Sequence, residues 1–428
     1  MECMGRYGFD ECYINQNMIG FACDGASVIL GKHSGVGTRM AKQFPNTILW
    51  HCLNHRLELS VSDTIKKLNS INHFKIFFDK LYSLYSRSPK NQRELIECSL
   101  AVSEQVTKVG RLLDTRWVSS SFRTVKAVWY SYESLCKHFE TASQDFSRDS
   151  TDRAMFNGLE KRIRSPEFLM DLGLMFDTLY ELSSLSELLQ HRATSIMHAD
   201  QMIKRTIRRL ESLKNNPGTK SLEAECAAKE LQFNTTGLKH NKAIVNINKH
   251  KFLGSLITSM EDRLFKITNP DDSTLMKDLQ ILNKETWPLE HTPGFGENEI
   301  KRLCRRFVLP EIILVDAFCE YYDNIGIRTP SALRPLINCV EVIPCSSSEC
   351  ERGFSQMNII LDEKRNRLTI EHVSSLLFIQ LNGPPLTIWR PLEYSKSWLL
   401  HHNSATDVHG LKSKISEPHE REEIWKYY

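Results

Sequence analysis

The chain has 428 residues, of which 41% are hydrophobic and 25% charged, so it should fold into two or three domains. Its 55 basic and 52 acidic residues leave a formal net charge of +3. This net charge is too small to indicate a nucleic-acid partner by itself. Contact with DNA would have to come from local basic clusters. No stretch approaches the ~18–20 uncharged apolar residues that span a bilayer, so we expect no membrane association.

The cysteines and the N-terminus indicate an intracellular protein. Twelve cysteines are scattered along the chain, and no two of them form a CxxC pair. This spacing is typical of reduced thiols and speaks against a disulfide scaffold or a zinc ribbon. The N-terminal sequence MECMGRYGFDECYINQNM contains no apolar signal core.

The first part of the chain alternates short apolar runs with helical patterns. Residues 19–23 and 46–55 predict two short strands, and residues 34–43 predict a helix between them. Residues 56–86 carry apolar side chains at steps of three and four, which predicts a long helix. The order strand, helix, strand, helix is typical of an α/β core.

From about residue 120 onward the periodicity is helical. Residues 167–191 show it most clearly, behind a proline that suits a helix N-terminus, and residues 202–216 predict a partner helix. Further helical patterns cover residues 252–265, 274–284, 298–324 and 370–381.

Two polar segments lack a clear period. Residues 215–250 are rich in asparagine and lysine, which predicts a loop or a partly ordered segment. The tail from about residue 403 has alternating charges and little periodicity, so we expect it to be poorly ordered.

Four short motifs stand along this pattern. They are Asp24-Gly25-Ala26, the CxxH formed by Cys52 and His55, the pair Arg116-Trp117, and CSSSECERGFSQMN at residues 345–358. For Asp24 alone a turn is the ordinary explanation. A phosphate loop is excluded, because five residues instead of four separate Gly25 from Gly31 and His33 replaces the required Ser or Thr.

The other motifs also have ordinary structural explanations when taken singly. Cys52 and His55 could be half of a zinc site, but no second half follows at ligand spacing. A packed cysteine and a hydrogen-bonded histidine are the alternative. Trp117 suits a core position, and Glu351 with Arg352 suits a charged helix surface.

In this order and context, the four motifs resemble those of the hAT family of DNA transposases and the cellular proteins domesticated from them. The matching positions are Asp24, Cys52 and His55, Arg116 and Trp117, and Ser346, Ser347 and Ser348 leading into Glu351-Arg352-Gly353-Phe354-Ser355. The similarity spans roughly residues 15–385. Its last part is similar to the family's C-terminal dimerisation region. The resemblance implies an RNase H-like core interrupted by a large helical insertion.

The resemblance also implies a metal site. In active relatives three carboxylates hold two divalent metals that activate attack on DNA phosphate. By motif match, Asp24 would be the second carboxylate and Glu351 the third. The 23 residues ahead of Asp24 are too few for the strands that should carry the first. We therefore expect an inactive protein without a cofactor, in which Asp24 and Glu351 are vestigial and Mg²⁺ binds only if a missing segment completes the site.

Two surfaces remain as candidates for function. The DNA-binding candidates are Lys204, Arg205, Arg208, Arg209, Lys301, Arg302, Lys364, Arg365 and Arg367. They would contact phosphate in a salt-dependent and largely sequence-independent way, unless they are solvated helix faces. The dimerisation candidates are Phe354, Ile370, Val373, Leu376, Leu377 and Leu381. Residues 369–382 carry more apolar surface than one helix face needs, unless this is an intramolecular core helix.

A third hypothesis comes from another class of function. Some domesticated hAT-like nuclear proteins are associated with SUMO conjugation, and a SUMO-binding segment needs a short β-branched run that can add to a sheet edge. The runs Ile312–Val315 and Val340–Ile343 have that composition. A buried helix is the alternative for the first of them.

Together these observations predict an α/β plus α fold. We expect a truncated RNase H-like core at residues 1–120, an all-helical insertion at 121–335, a dimerisation region completing the core at 336–400 and a polar tail at 401–428. The predicted function is that of a domesticated, catalytically inactive transposase-like protein. It would be located in the nucleus, with the cytoplasm as a second compartment, and act through homodimerisation and non-specific DNA binding. A SUMO-protein ligase scaffold is the alternative, and an active metal-dependent transposase or nuclease ranks third.

Overall fold

The computed structural model describes residues 2–5, 8–31, 33–68, 71–104, 110, 117–265, 270–362, 365 and 367–401. The chain divides into two compact units, Met1–Glu349 and Cys350–Tyr428. The described residues are mostly helical, as the sequence predicted. The predicted polar tail lies outside the described residues.

The first unit opens with a small parallel sheet. Its elements are α1 (Glu2–Gly5), α2 (Glu11–Asn17), β1 (Gly20–Cys23), α3 (Ser27–Leu30), α4 (Val36–Gln43) and β2 (Ile48–His51). β1 and β2 are parallel, with Gly20 paired to Ile48 and Cys23 to His51. The two predicted strands and the helix between them are therefore confirmed, and α3 and α4 form the crossover that parallel strands require.

Helices make up most of the remaining first unit. They are α5 (Leu53–Lys67), α6 (Asn72–Ser86), α7 (Pro89–Val102), α8 (Trp117–Tyr130), α9 (Tyr132–Gln144), α10 (Ser150–Ile163), α11 (Pro166–Leu189), α12 (Ile196–Asn215), α13 (Thr219–Glu230), α14 (Lys249–Leu264), α15 (Pro270–Leu279), α16 (Glu297–Phe307), α17 (Glu311–Asp323) and α18 (Arg334–Glu341). A hairpin of β3 (Gln232–Phe233) and β4 (Thr236–Gly237) follows α13. Short 3₁₀ turns cover Gln280–Leu282, Lys284–Thr286 and Ser331–Leu333.

Helix α11 lies at the centre of the helical core, where it contacts α8, α12 and α13. Ser165 caps it, because its Oγ accepts a hydrogen bond from the Phe168 amide at 3.1 Å, and Pro166 occupies its first position. Gly173 permits a close approach of α13, since a Cβ at this position would lie 2.6 Å from the Lys220 carbonyl oxygen. The helix predicted at 167–191 is thus confirmed as a core element.

Three predictions about segments were wrong. Residues 56–86 form two helices, α5 and α6, instead of one. Residues 298–324 are divided between α16 and α17 near Pro310, whose ring cannot continue a helix. The predicted loop at 215–250 contains α13 and the β3–β4 hairpin.

The second unit carries the last helices. These are α19 (Ser348–Ile360), which begins two residues before the boundary, α20 (Ile370–Asn382) and α21 (Pro391–His401). Thr369 caps α20 by accepting a hydrogen bond from the His372 amide at 3.4 Å, so the predicted helix at 370–381 is confirmed. Every cysteine whose side chain is described is a free thiol. None of the helices in the described ranges has both the length and the apolar composition for crossing a membrane.

Val308 ends α16 in a strained conformation. Its φ is +55°, and its side chain is 74% exposed. A left-handed backbone costs an L-residue about 1–2 kcal/mol, and glycine at a helix C-terminus avoids that cost. We expect Val308→Gly to raise the free energy of unfolding by about 1 kcal/mol in urea titrations.

A matched control is Val245→Gly. Val245 is 72% exposed and has no positive φ. Glycine there relieves no left-handed backbone strain and adds conformational freedom to the unfolded chain, so the free energy of unfolding of this variant should fall. Equal effects of the two substitutions would show that strain at Val308 is not the cause.

Candidate functional site

The first candidate site lies at the carboxyl ends of β1 and β2. Ligands of α/β proteins commonly bind at this edge of a parallel sheet. Asp24 follows β1 directly, and its exposed carboxylate accepts a hydrogen bond from the Ala26 amide at 3.1 Å, which confirms the predicted turn. The imidazole of His51 lies against this turn, because a Cβ on Gly25 would be 2.8 Å from its Nε2.

His51 is a half-buried base within this site. Its Nε2 is buried and has no hydrogen-bond partner among the described residues. Burial, followed by the positive charges of Arg56 and His55, lowers the pKa of His51 to about 4, while Asp24 acts in the opposite direction. His51 is therefore neutral at pH 7. The ring centroid of His55 lies 5.6 Å from that of His51.

Arg56 is the most buried cation of the site, with 7% of its surface exposed. Its Nε donates a hydrogen bond to the Arg263 carbonyl oxygen. Burial and the charge of Arg263 lower the pKa of Arg56 to about 10. The Arg263 guanidinium pairs with Asp63 at 2.8 Å, whereas Arg56 has no ion pair within the described part of the chain.

Cys52 connects this site to the serine-rich motif. It is 1% exposed, and its Sγ accepts a hydrogen bond from the Ser347 amide at 3.4 Å. The Leu53 amide also donates to the Cys345 carbonyl oxygen at 3.0 Å. The fold thus brings the Asp24 turn, the CxxH motif and the serine-rich segment together, as their grouping in the sequence suggested. Cys52 is a packed cysteine as predicted.

Two further motif predictions have different outcomes. His55 contacts the His51 ring and makes no hydrogen bond among the described residues, so the predicted hydrogen-bonded histidine was wrong. Trp117 is buried at the first turn of α8, as the core explanation predicted. Arg116 lies outside the described residues. Glu351 and Arg352 are half-buried on α19.

The groups around Asp24 do not fit a two-metal site. The other charges that act on His51 there are Arg56, His55 and Arg263, all of them basic. Across the described residues, no group of three or more His, Cys, Asp or Glu side chains is placed to hold a metal ion. Divalent cations such as Mg²⁺ prefer several oxygen ligands, whereas basic side chains suit an anion. The chemistry of this donor set favours an anion such as a phosphate oxygen.

Sequence reasoning missed three of these groups. His51 directly precedes the CxxH of Cys52 and His55, and Arg56 directly follows it, so this motif was the available signal. Arg263 is far away in the sequence and comes to the site only through the packing of α14 on α5.

Many of the predicted DNA-binding residues already have acidic partners. The ion pairs are Lys204 with Asp200 at 2.7 Å, Arg209 with Glu181 at 3.4 Å, Lys301 with Glu297 at 3.5 Å and Arg302 with Asp278 at 2.6 Å. Arg205 and Arg208 are exposed on α12, and Arg365 and Arg367 are exposed in the second unit. Lys364 lies outside the described residues. These pairs reduce the positive charge that the clusters on α12 and α16 can offer to phosphate.

Five of the six predicted dimerisation residues lie on α20, a helix without any buried residue. Ile370 is 83% exposed, Leu376 and Leu381 are exposed, and Val373 and Leu377 are half-buried. Phe354 on α19 is 60% exposed. Within the described ranges, α20 is therefore not packed as an intramolecular core helix. Phe378 and Ile379 add to the apolar surface, at 52% and 63% exposed.

The two runs considered for SUMO binding are not extended. Ile312–Val315 lies on α17, with Ile312 and Ile313 exposed, and Val340–Ile343 covers the end of α18 and the following turn. A segment that adds to a sheet edge must be extended. In this conformation neither run can bind in that way.

The C-terminal helices also match a known protein family. Residues 337–382 match the family model of the hAT family C-terminal dimerisation region. The matched segment runs from within α18 to the end of α20, and so includes Glu351, Phe354 and the exposed apolar helix. The chain therefore carries a transposase-related dimerisation region of the hAT family over residues 337–382.

Proposed function

We propose that the protein is a domesticated, catalytically inactive relative of the hAT transposases that acts in the nucleus as a homodimer and contacts DNA phosphate. The observation that carries this proposal is helix α20. It is part of the matched dimerisation region and exposes its apolar side chains. On this proposal, β1, β2 and the Asp24 turn belong to an RNase H-like core.

The dimer is supported by the physical character of α20. A helix that is apolar around its circumference is normally buried, because exposing it to water costs free energy. Ile370, Phe378 and Ile379 are each more than half exposed. A contiguous exposed apolar surface typically marks an interaction site. Because the matched region is a dimerisation region, the partner that we propose is a second copy of this chain.

We expect the wild-type protein to be a dimer in light scattering and Ile379→Asp to shift it towards monomer. Burying an aspartate in an apolar interface costs enough to weaken the dimer at least about ten-fold. Ile379 is 63% exposed, so the substitution should leave folding unchanged. Circular dichroism would check this.

Ile313→Asp is the matched control. Ile313 also lies on a helix and is 57% exposed, but it belongs to the first unit. This variant should remain dimeric. A wild-type monomer, or loss of the dimer in both variants, would contradict assembly through α20.

Contact with DNA is supported by the exposed cations of α12. Arg205 and Arg208 are exposed and have no acidic partner among the described residues. We expect the protein to bind a fluorescent double-stranded oligonucleotide of arbitrary sequence in anisotropy titrations. Arg208→Gln should weaken this binding and reduce the slope of log K against log salt by about one.

Lys301→Gln is the control for this titration, because Lys301 is paired with Glu297 and should contribute little. Catalytic inactivity is supported by the donor set around Asp24, so the same DNA should stay uncut when Mg²⁺ is added. Cleavage that disappears in Asp24→Asn would overturn the proposed inactivity, while an unchanged salt slope in Arg208→Gln would remove Arg208 from the proposed contact.

A further inference from the structure

The chain continues to expose apolar side chains beyond the matched dimerisation region. The family match ends at residue 382, whereas Leu386 is 86% exposed, Leu392 65% and Trp389 43%. Between residues 361 and 401, no side chain that the structure describes is buried. Helix α21 is therefore exposed like α20, although it lies outside the region that the family model covers.

Local contacts order this segment without burying it. In the turn after α20, the amides of Ile388 and Trp389 donate to the Pro385 carbonyl oxygen at 3.0 and 3.1 Å. The Trp389 ring then lies beside α21, with its centroid 5.8 Å from that of Tyr394. These contacts hold Trp389 in a defined place on an exposed surface.

Helix α21 is too short to be stable without packing. It has 11 residues, and isolated helices shorter than ~12–15 residues are only marginally stable in water. In proteins such helices obtain their stability mostly by packing an apolar face against other elements. Leu392 on α21 and Leu386 ahead of it are not covered by any of the described residues. This apolar surface therefore calls for a partner.

The charge, position and size of this surface favour a second copy of the chain. Glu393 and Lys396 on α21 carry opposite charges, so the helix has no excess of positive charge for nucleic acid. The surface follows α20 along the chain and belongs to the same compact unit. A standard interface uses ~20–30 residues on each side. The 13 residues of α20 fall short of that number, and the 11 residues of α21 bring it into the range.

We propose that the dimer interface extends beyond the matched region, so that the turn at 386–388 and α21 pack against the same second copy that covers α20. This inference rests on the proposed homodimer. Trp389 is the anchor of the extension, because tryptophan is enriched among the residues that contribute most to binding energy. Leu386 and Leu392 contribute further apolar surface.

The dissociation constant of the dimer, measured by sedimentation equilibrium, tests this extension. Trp389→Ala should raise it at least about ten-fold through the loss of an aromatic anchor, and Leu392→Asp should do so by placing a charge in an apolar interface. Leu289→Asp is the matched control, because Leu289 is fully exposed in the first unit. This variant should keep the wild-type constant.

The outcomes separate this inference from the dimer on which it rests. If Ile379→Asp weakens the dimer while Trp389→Ala and Leu392→Asp keep the wild-type constant, the extension is overturned and assembly through α20 stands. An equal rise in Leu289→Asp would also overturn the extension, since any added surface charge would then have the same effect. A monomeric wild-type protein would overturn both.

Hydrogen exchange identifies what covers α21. Its backbone amides should be protected at protein concentrations above the dissociation constant, and this protection should be lost on dilution and in Ile379→Asp. Protection that persists in the monomer would show that another segment of the same chain covers the helix. Unprotected amides in the dimer would show that the second copy does not reach it. Either result would overturn the proposal.

Discussion

Replacing Arg148 by methionine is expected to lower the free energy of unfolding by about 3 kcal/mol, one of the two largest effects that we predict. Arg148 is 9% exposed and lies in a polar network between α7 and α9. Its Nη2 donates to the Glu94 carboxylate and to the Asn91 side-chain oxygen, the latter at 2.9 Å. Its guanidinium also lies 4.7 Å from the ring centroid of Phe156.

The same Glu94 carboxylate is 3.1 Å from Nε2 of His138, and the opposite ring nitrogen lies 2.8 Å from the Tyr85 hydroxyl. Arg148→Met keeps the apolar stem but leaves Glu94 without its closest cation. Breaking one partner of a buried pair typically costs ~3–5 kcal/mol. We expect a loss of stability at the lower end of this range, because Glu94 is 26% exposed and the Lys90 ammonium, 3.6 Å away, still pairs with its carboxylate.

Arg192→Met is the matched control for this prediction. Arg192 pairs with Glu349, but its side chain is 68% exposed, and exposed pairs typically contribute at most about 1 kcal/mol. Urea unfolding of both variants measures the difference. Similar losses in the two variants would show that burial does not set the strength of the Arg148 network.

The second large effect concerns pH and His51. The unfolded chain protonates this histidine below its ordinary pKa of 6.5, whereas the folded protein does so only below about pH 4. Acidification therefore favours the unfolded chain, and the contribution of His51 to stability falls by about 3 kcal/mol as the pH drops from 7 to 4. His51→Phe removes this contribution and should flatten the pH dependence.

At pH 7 the His51→Phe variant should be about as stable as wild type, because Nε2 of His51 has no hydrogen bond to lose among the described residues. The comparison must be made between the two proteins, since Asp171 acts in the opposite sense. Burial raises the pKa of Asp171 to about 6, so its protonation stabilises the fold in acid. Identical pH profiles of wild type and variant would rule out His51 as the titrating group.

The elements with strong periodicity could be predicted from the sequence. β1, β2, α11 and α20 were all found, since apolar side chains at a fixed period record which face meets the core. Helix α13 was missed for the opposite reason. It packs on α11 through the small residues Ser221, Ala224 and Ala227, which leave no clear apolar stripe in the sequence.

The group that caps the N-terminus of α13 could not be predicted from the sequence either. The amides of Lys220 and Ser221 donate to the carboxylate of Asp177, which lies more than forty positions earlier on α11. A cap that comes from another helix leaves no local sequence signal. Arg263 was not predicted to belong to the candidate site for the same reason, since it reaches the CxxH motif only through the packing of α14 on α5.

The predicted basic clusters show a related limit. Arg302 stands in a run of basic residues, yet Asp278 of α15 neutralises it at 2.6 Å. The sequence shows which charges are close along the chain, whereas the electrostatic interaction energy depends on the distance between charges in space. Exposure of α20, in contrast, could be anticipated, because its apolar residues exceed what one face can bury.

The hydrogen bond between Ser347 and Cys52 joins residues that are 295 positions apart in the chain. A ribosome adds ~5–20 residues per second. Synthesis of the segment around Ser347 therefore follows that of β1 and β2 by roughly 15–60 s. During that interval a nascent chain exposes the edges of β1 and β2 and the thiol of Cys52. Synthesis of this protein should therefore depend on chaperones that hold its N-terminal segment until residues near 345 have emerged.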